Sequence, residues 1–167
     1  MIVFYQRKIY VKLLLKQRFF SWTDTYDVFD EDDCVKYFVK AEFFTFGHVL
    51  HVYDTAGKEV GCIREKILTF MPKFEVIIGG QLLGTISKKF TLFSEDYVLD
   101  YKGWDVEGDF LGWDYSVRDK YGADVVSVSK EIFNFTDVYS IAFYRSSDEL
   151  PALLTAIAID AANCGKN

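Results

Sequence analysis

Five cationic side chains recur at one place in a pattern: Lys16, Lys40, Arg64, Lys88 and Lys130 each stand two or three positions before an apolar residue that is followed, three positions later, by an aromatic. Ammonium and guanidinium groups gathered on one rim would hold an anion such as a phosphate or a lipid headgroup. The same lysines would also serve to keep strand ends wet and unpaired, and Glu42, Glu65 and Glu131 beside them dilute the field. Other reactive types are sparser. The acidic run Asp30, Glu31, Asp32 and Asp33 lacks the central glycine and terminal glutamate of a calcium loop and reads as a solvated turn. His48 and His51 lie three apart with no third ligand in any sequence phrase, so no metal site is expected. Cys34, Cys62 and Cys164 are odd in number and form no CxxC, so they read as small apolar residues in a reducing, cytoplasmic setting. No G-x-S-x-G elbow, glycine-rich phosphate loop or HExxH is present. The expectation is a chain without catalytic residues and without a cofactor.

The elements that position these residues follow from the same repeat. The apolar and aromatic pairs are Phe19/Trp22, Phe43/Phe46, Ile67/Phe70, Phe90/Phe93, Phe110/Trp113 and Ile132/Phe135, with steps of 24, 24, 23, 20 and 22 residues. A near-constant period in the twenties marks a repeated supersecondary unit. Between the copies lie alternating runs such as "TYDVF", "VLHVY", "FEVII", "DYSVR" and "YSIAF", which read as strands. Tight turns are expected at 30–33, 54–58, 79–80, 102–103 and 119–122, where Gly and Asp supply turn conformations. Five turns and six longer arches make twelve strands. Residues three apart on a flat strand face opposite sides, so each arch is read as bent, its apolar pair folding over the core; the alternative is that these are ordinary strand residues.

From Ser147 the pattern changes to "SDELPALLTAIAIDAANCG". Ser147 or Asp148 would cap a helix, Pro151 fits its first turn, and Gly165 would stop it. Apolar residues cover every side, so this helix, at about 148–164, belongs inside protein or lipid. It falls short of the roughly 20 apolar residues that span a bilayer. Twelve strands close around a space too wide for side chains alone to fill, and a helix about 10–12 Å across fits it. The expected fold is mainly β: a twelve-stranded antiparallel closed barrel around a central C-terminal hydrophobic helix, formed by residues 11–167 as one domain. Residues 1–10 read as an N-terminal extension in strand form, without the features of a signal peptide.

The phrases "KQRFFSWTDTYDVFDED", "KYFVKAEFFTFGHVLHVYD", "VEGDFLGWDYSV" and "AIAIDA" resemble the bacterial LURP-one-related proteins over about residues 11–164. That resemblance implies the Tubby C-terminal-domain-like fold, distantly related to phospholipid scramblases. It implies little about activity: tubby domains bind phosphoinositides and scramblases move lipids, but no lipid-binding motif of either family matches positions here. The formal charge of −6 argues against nucleic acid as a partner. The leading expectation is a non-catalytic binding or scaffolding module that uses its rim or outer wall, and the alternative is a peripheral binder of anionic lipid headgroups through the basic rim. The candidate partner is accordingly another protein or an anionic lipid, and no transmembrane segment is expected. A scramblase-like membrane protein is the third reading.

Overall fold

The computed structural model of the protein describes residues 11–16, 25–42, 47–90, 95–111, 113–133 and 136–164. Twelve strands run up and down in chain order: β1 Val11–Leu15, β2 Thr25–Phe29, β3 Val35–Ala41, β4 Val49–Asp54, β5 Glu59–Glu65, β6 Lys73–Ile78, β7 Gln81–Phe90, β8 Glu95–Leu99, β9 Asp105–Asp109, β10 Asp114–Arg118, β11 Asp124–Phe133 and β12 Thr136–Phe143. Each pairs antiparallel with its neighbours, and β1 closes the barrel against β12 with Val11 facing Phe143 and Leu15 facing Tyr139. The alternation in the sequence has a direct cause. In β2, Tyr26 and Val28 are buried while Thr25 and Asp27 face water; in β3 Tyr37 and Val39 point the same way. Successive side chains on a strand take opposite faces, so one face lines the interior.

Three of the hairpins share one device. Asp30 Oδ1 accepts from the backbone N–H groups of Asp32 and Cys34 at 3.0 and 2.9 Å. Asp54 Oδ1 takes Ala56 and Lys58 at 3.0 and 2.9 Å, and Asp119 Oδ1 takes Tyr121 and Ala123 at 2.9 and 3.0 Å. An aspartate at the first turn position mimics a backbone turn and satisfies donors the reversing chain would otherwise leave unpaired. The Asp30 carboxylate is therefore committed to the turn. The β6–β7 hairpin uses Gly79 and Gly80, at φ 57° and 77°, the two successive positive angles of a two-residue hairpin that glycine alone adopts without strain.

The helix α1, Glu149–Cys164, follows a 3-10 turn at Ser146–Asp148. Its residues 151–162 are buried on every side, and it packs against β5, β6, β7 and β12. Gly61 on β5 is one reason it fits: a Cβ there would lie 2.9 Å from Leu154 Cδ1 and 3.1 Å from Ile77 O. Only a residue without a side chain lets the helix come so near the wall.

Polar groups tie both helix ends to the wall. At the hairpin end, Tyr37 Oη donates to Glu149 Oε1 at 2.6 Å, Lys36 Nζ lies 2.6 Å from the same oxygen, and Lys102 Nζ is 2.8 Å from Asp148 Oδ1. The expected capping residue Asp148 thus pairs across to the barrel. Nearly two turns on, Tyr101 Oη and Thr155 Oγ1 are 2.6 Å apart. At the arch end, Lys88 Nζ and Tyr97 Oη donate to Asn163 Oδ1 at 3.1 and 2.5 Å, and Asn163 Nδ2 donates to Phe110 O at 3.3 Å. Acids at the helix N-terminus and a cation at its C-terminus both complement the helix dipole.

The arches do not all behave alike. Phe110 is buried against Tyr97 and Tyr115, with ring centroids 4.9 and 5.4 Å apart, and Trp113 stands edge-on to Tyr139 at 4.8 Å. That pair folds over the core as its spacing suggests. Ile67 and Phe70 do the opposite, being 52% and 100% exposed, with Leu68 at 100% between them. The arch is closed at its base by Lys66 N–H to Lys73 O at 2.8 Å and by Thr69 Oγ1 to Lys66 O at 3.0 Å. This leaves residues 67–70 as a narrow tip beyond the barrel wall. The other four pairs lie wholly or partly outside the described residues, as do residues 1–10.

Candidate contact surface at the arch end

Strand parity sorts Lys40, Arg64 and Lys88, while Lys130 is exposed despite sharing the inward parity of Val126 and Val128. Val39 and Ile63 point inward, so Lys40 and Arg64, one position on, point outward and are exposed. Lys40 Nζ sits 5.4 Å from the ring centre of Tyr53, and Arg64 Nη1 is 4.0 Å from Glu75 Oε2. Lys88 has the parity of the buried Ile86 and is itself only 2% exposed, held at the end of α1 by Asn163. Lys16 contacts the Asp33 carboxylate of the β2–β3 turn and lies 4.3 Å from the centre of the Phe29 ring. Lys130 is exposed near the arch end of β11, 5.9 Å from the Tyr139 ring centre. Three of the five therefore face solvent in the arch half of the barrel, one supports the helix, and one reaches toward the opposite end.

The residues that gather around Arg64 are a different set. A groove of about 530 Å³ is lined by Glu42, Val49, Arg64, Glu65, Lys66, Ile67 and Glu75. Lys66 Nζ lies 3.2 Å from Glu75 Oε1, and Glu65 Oε2 accepts the His48 backbone N–H at 3.0 Å. The His48 ring stands 3.6 Å from that oxygen; burial pushes its pKa down and the Glu65 charge works against that shift. Among these lining residues are paired charges and apolar side chains, with no nucleophile beside a base. The exposed apolar tip Ile67–Phe70 rises directly from this groove, with Ile67 Cγ2 3.0 Å from the position a Gly47 Cβ would take. The sequence rhythm singled out Arg64 and the Ile67/Phe70 pair but assigned the pair to the core. Pro72, with Lys66 and Lys73 at the two ends of the segment, was the available signal of a protruding turn.

Residues 11–160 match the LURP-one-related family, which covers most of the chain. The protein belongs to the LURP-one-related family. One relative, described as "Uncharacterized protein YxjI" from Bacillus subtilis (strain 168), is 29% identical over 151 residues, spanning 90% of this chain and 92% of its own. The crystal structure of an Arabidopsis thaliana protein superposes with a TM-score of 0.68, covering 92% of this chain and 91% of that one at 18% identity. The second likeness speaks for the fold alone. The LURP-one-related barrel and its central helix are thus as the resemblance implied, and no catalytic role comes with family membership. Among the described residues no helix is long and apolar enough to cross a membrane.

Proposed function

We propose that the protein is a non-catalytic binding module that docks peripherally on anionic lipid surfaces through its arch end. The observation that carries this reading is the tip of the β5–β6 arch, where Leu68 and Phe70 are fully exposed between Lys66 and Lys73 on a barrel whose interior is occupied by α1. Size favours a lipid surface over a protein partner. A stable protein interface buries about 800 Å² per side, whereas a narrow tip of three apolar side chains suits insertion at a membrane interface. Moving a Leu or Phe side chain out of water contributes about 1.5–3 kcal/mol each. Lysine and arginine near anionic headgroups add about 1 kcal/mol each at most, and Glu65 and Glu75 offset part of that here. Lys40, Arg64 and Lys130, with Lys66, are the cations assigned to headgroups, Arg64 and Lys66 standing beside Glu75 in the free protein, while Lys16 and Lys88 are turned to Asp33 and Asn163. The result is weak, reversible association led by the apolar tip. Cys34 and Cys62 are free thiols, which suits the cytoplasmic leaflet.

Vesicle co-sedimentation tests the reading. Wild-type protein should pellet with vesicles containing anionic lipid, less with neutral ones, and the double substitution Leu68→Asp and Phe70→Asp should lower the bound fraction at least tenfold. Negligible pelleting with both vesicle types, or binding indifferent to the double substitution, would sink it.

A further inference from the structure

A second cluster lies on the outer wall of β4 and β5, adjoining the groove, with which it shares Glu42. His51 and Cys62 are facing partners in the β4–β5 ladder, so their side chains share the outer face. Cys62 is nonetheless only 3% exposed, and it stands apart from the hydrophobic cluster that surrounds α1. Glu59 joins them for a less obvious reason. It is three residues before Cys62, which on a regular strand would place it on the opposite face. The pairing shifts between Val52 and Tyr53: Val52 faces Gly61 while Tyr53 faces Glu59. Val60 is therefore an extra residue, a β-bulge, and it brings Glu59 back to the face of Cys62. Bulges re-aim side chains in this way at many functional sites.

The donor atoms of His51, Glu59 and Cys62 all lie within 4.8 Å of one another. On the far side of the ring, Glu42 Oε2 is 3.1 Å from His51 Nε2. With a proton on Nε2 shared with this carboxylate, Nδ1 presents a lone pair toward the cluster. Metal-bound histidines are oriented by the same arrangement of a carboxylate on the second nitrogen. His51 Nδ1 is shielded from solvent and makes no hydrogen bond of acceptable direction, although Glu59 Oε2 stands 3.1 Å away. A lone pair and a carboxylate oxygen at that distance repel unless a cation or a proton lies between them.

We propose that His51 Nδ1, a Glu59 carboxylate oxygen and Cys62 Sγ form a binding site for a divalent cation of the zinc class, with Glu42 as the residue that positions the histidine. Mixed nitrogen, oxygen and sulfur donors select zinc over the hard cations magnesium and calcium. Three protein ligands leave the fourth tetrahedral position to water or to an incoming group. A cysteine thiol keeps its proton at neutral pH, so the free protein carries the proton on sulfur. Binding the cation forms the metal–sulfur bond and releases that one proton to the buffer. Carboxylate, thiolate and Zn²⁺ then sum to zero charge.

Calorimetric titration of the full chain with Zn²⁺ tests this in a Cys34→Ser background, which removes the exposed thiol. One equivalent should bind, with one proton released as measured in two buffers of different ionisation enthalpy. Cobalt(II) should give a thiolate-to-metal charge-transfer band in the near ultraviolet. Cys62→Ser should abolish the band; Glu59→Gln, at an exposed position that the fold does not depend on, should weaken zinc binding at least tenfold; Glu42→Gln should weaken it less. Zinc at a fixed concentration should raise the melting temperature of the parent more than that of Glu59→Gln. Binding well below one equivalent, a band that survives Cys62→Ser, or an affinity unchanged by Glu59→Gln would each overturn the site, and would show that His51 sits between Glu42 and Glu59 held by protons alone.

Discussion

Two apolar segments of this chain meet opposite fates. "AIAI" at 156–159 is sealed within the barrel, while "ILTF" at 67–70 stands in water. Composition does not separate them. The helix satisfies its own backbone hydrogen bonds and presents side chains all round, so only an enclosing wall can bury it. The tip spans four residues between two paired strands, and its own closure at Lys66, Thr69 and Lys73 turns it away from the wall. Hydrophobicity states what burial is worth; the connections decide whether it happens. An exposed apolar segment on a barrel with a filled interior points to something outside that covers it.

The sharpest way to break the comparison is to place a charge in each segment. Ile157 is completely buried, and Ile157→Asp puts an unpaired carboxylate where no water reaches. The expected loss exceeds about 4 kcal/mol, a large part of the roughly 5–15 kcal/mol that holds a domain together. Circular dichroism should show an unfolded or aggregated chain at room temperature. Near-native melting would mean that α1 is not enclosed.

A milder probe of the interior uses its phenols. Tyr26, Tyr37, Tyr101 and Tyr115 have pKa values raised by burial, with the Glu149 hydrogen bond and charge adding to Tyr37 and the Asp160 charge adding to Tyr26 and Tyr115. For Tyr101 the Thr155 bond works in the opposite direction without cancelling burial. Below the unfolded value near 10 both states keep the proton and the fold has its full stability. As pH rises above about 10 the unfolded chain sheds protons that the folded one retains, so stability falls. Tyrosinate absorbance from these four residues should therefore appear together with loss of the far-ultraviolet signal. Ionisation of all the tyrosines in a chain that keeps native circular dichroism would contradict an interior closed to water.

Much of the interior was legible in the sequence because it rests on short-range rules. "TYDVF" states its own two-sided strand, Asp30, Asp54 and Asp119 announce their turns, and the apolar circumference of 150–162 calls for burial in protein or lipid, with its short length favouring protein. The surface was less legible, since its arrangement depends on departures from those rules. Lys88 belongs to the cationic rhythm, yet parity with Ile86 turns it inward, where Asn163 and the helix end receive it. Glu59 and Cys62 share a face only because Val60 is bulged out of register. Gly61 in "EVGCIRE" signals a bulge or a close backbone approach without saying which, so the zinc-class cluster becomes visible only through the pairing. The tip is an arch by its spacing and a protrusion by its closure, and spacing alone carried the first half of that statement.

The smallest effect belongs to Leu68, and it has the opposite sign. Its φ is 64°, a left-handed conformation that costs a branched apolar residue roughly 1 kcal/mol and glycine almost nothing. No packing compensates, since the side chain is fully exposed. Leu68→Gly should therefore leave the melting temperature unchanged or raise it slightly, the relief of strain being offset in part by the greater freedom of glycine in the unfolded chain. The same substitution should weaken vesicle binding severalfold, because it removes one of the two fully exposed apolar anchors. A residue that improves binding while gaining nothing for the fold is placed by function. If Leu68→Gly lowers stability by more than about 1 kcal/mol, the leucine is instead supporting the arch, and the contrast between the enclosed helix and the open tip loses its functional meaning.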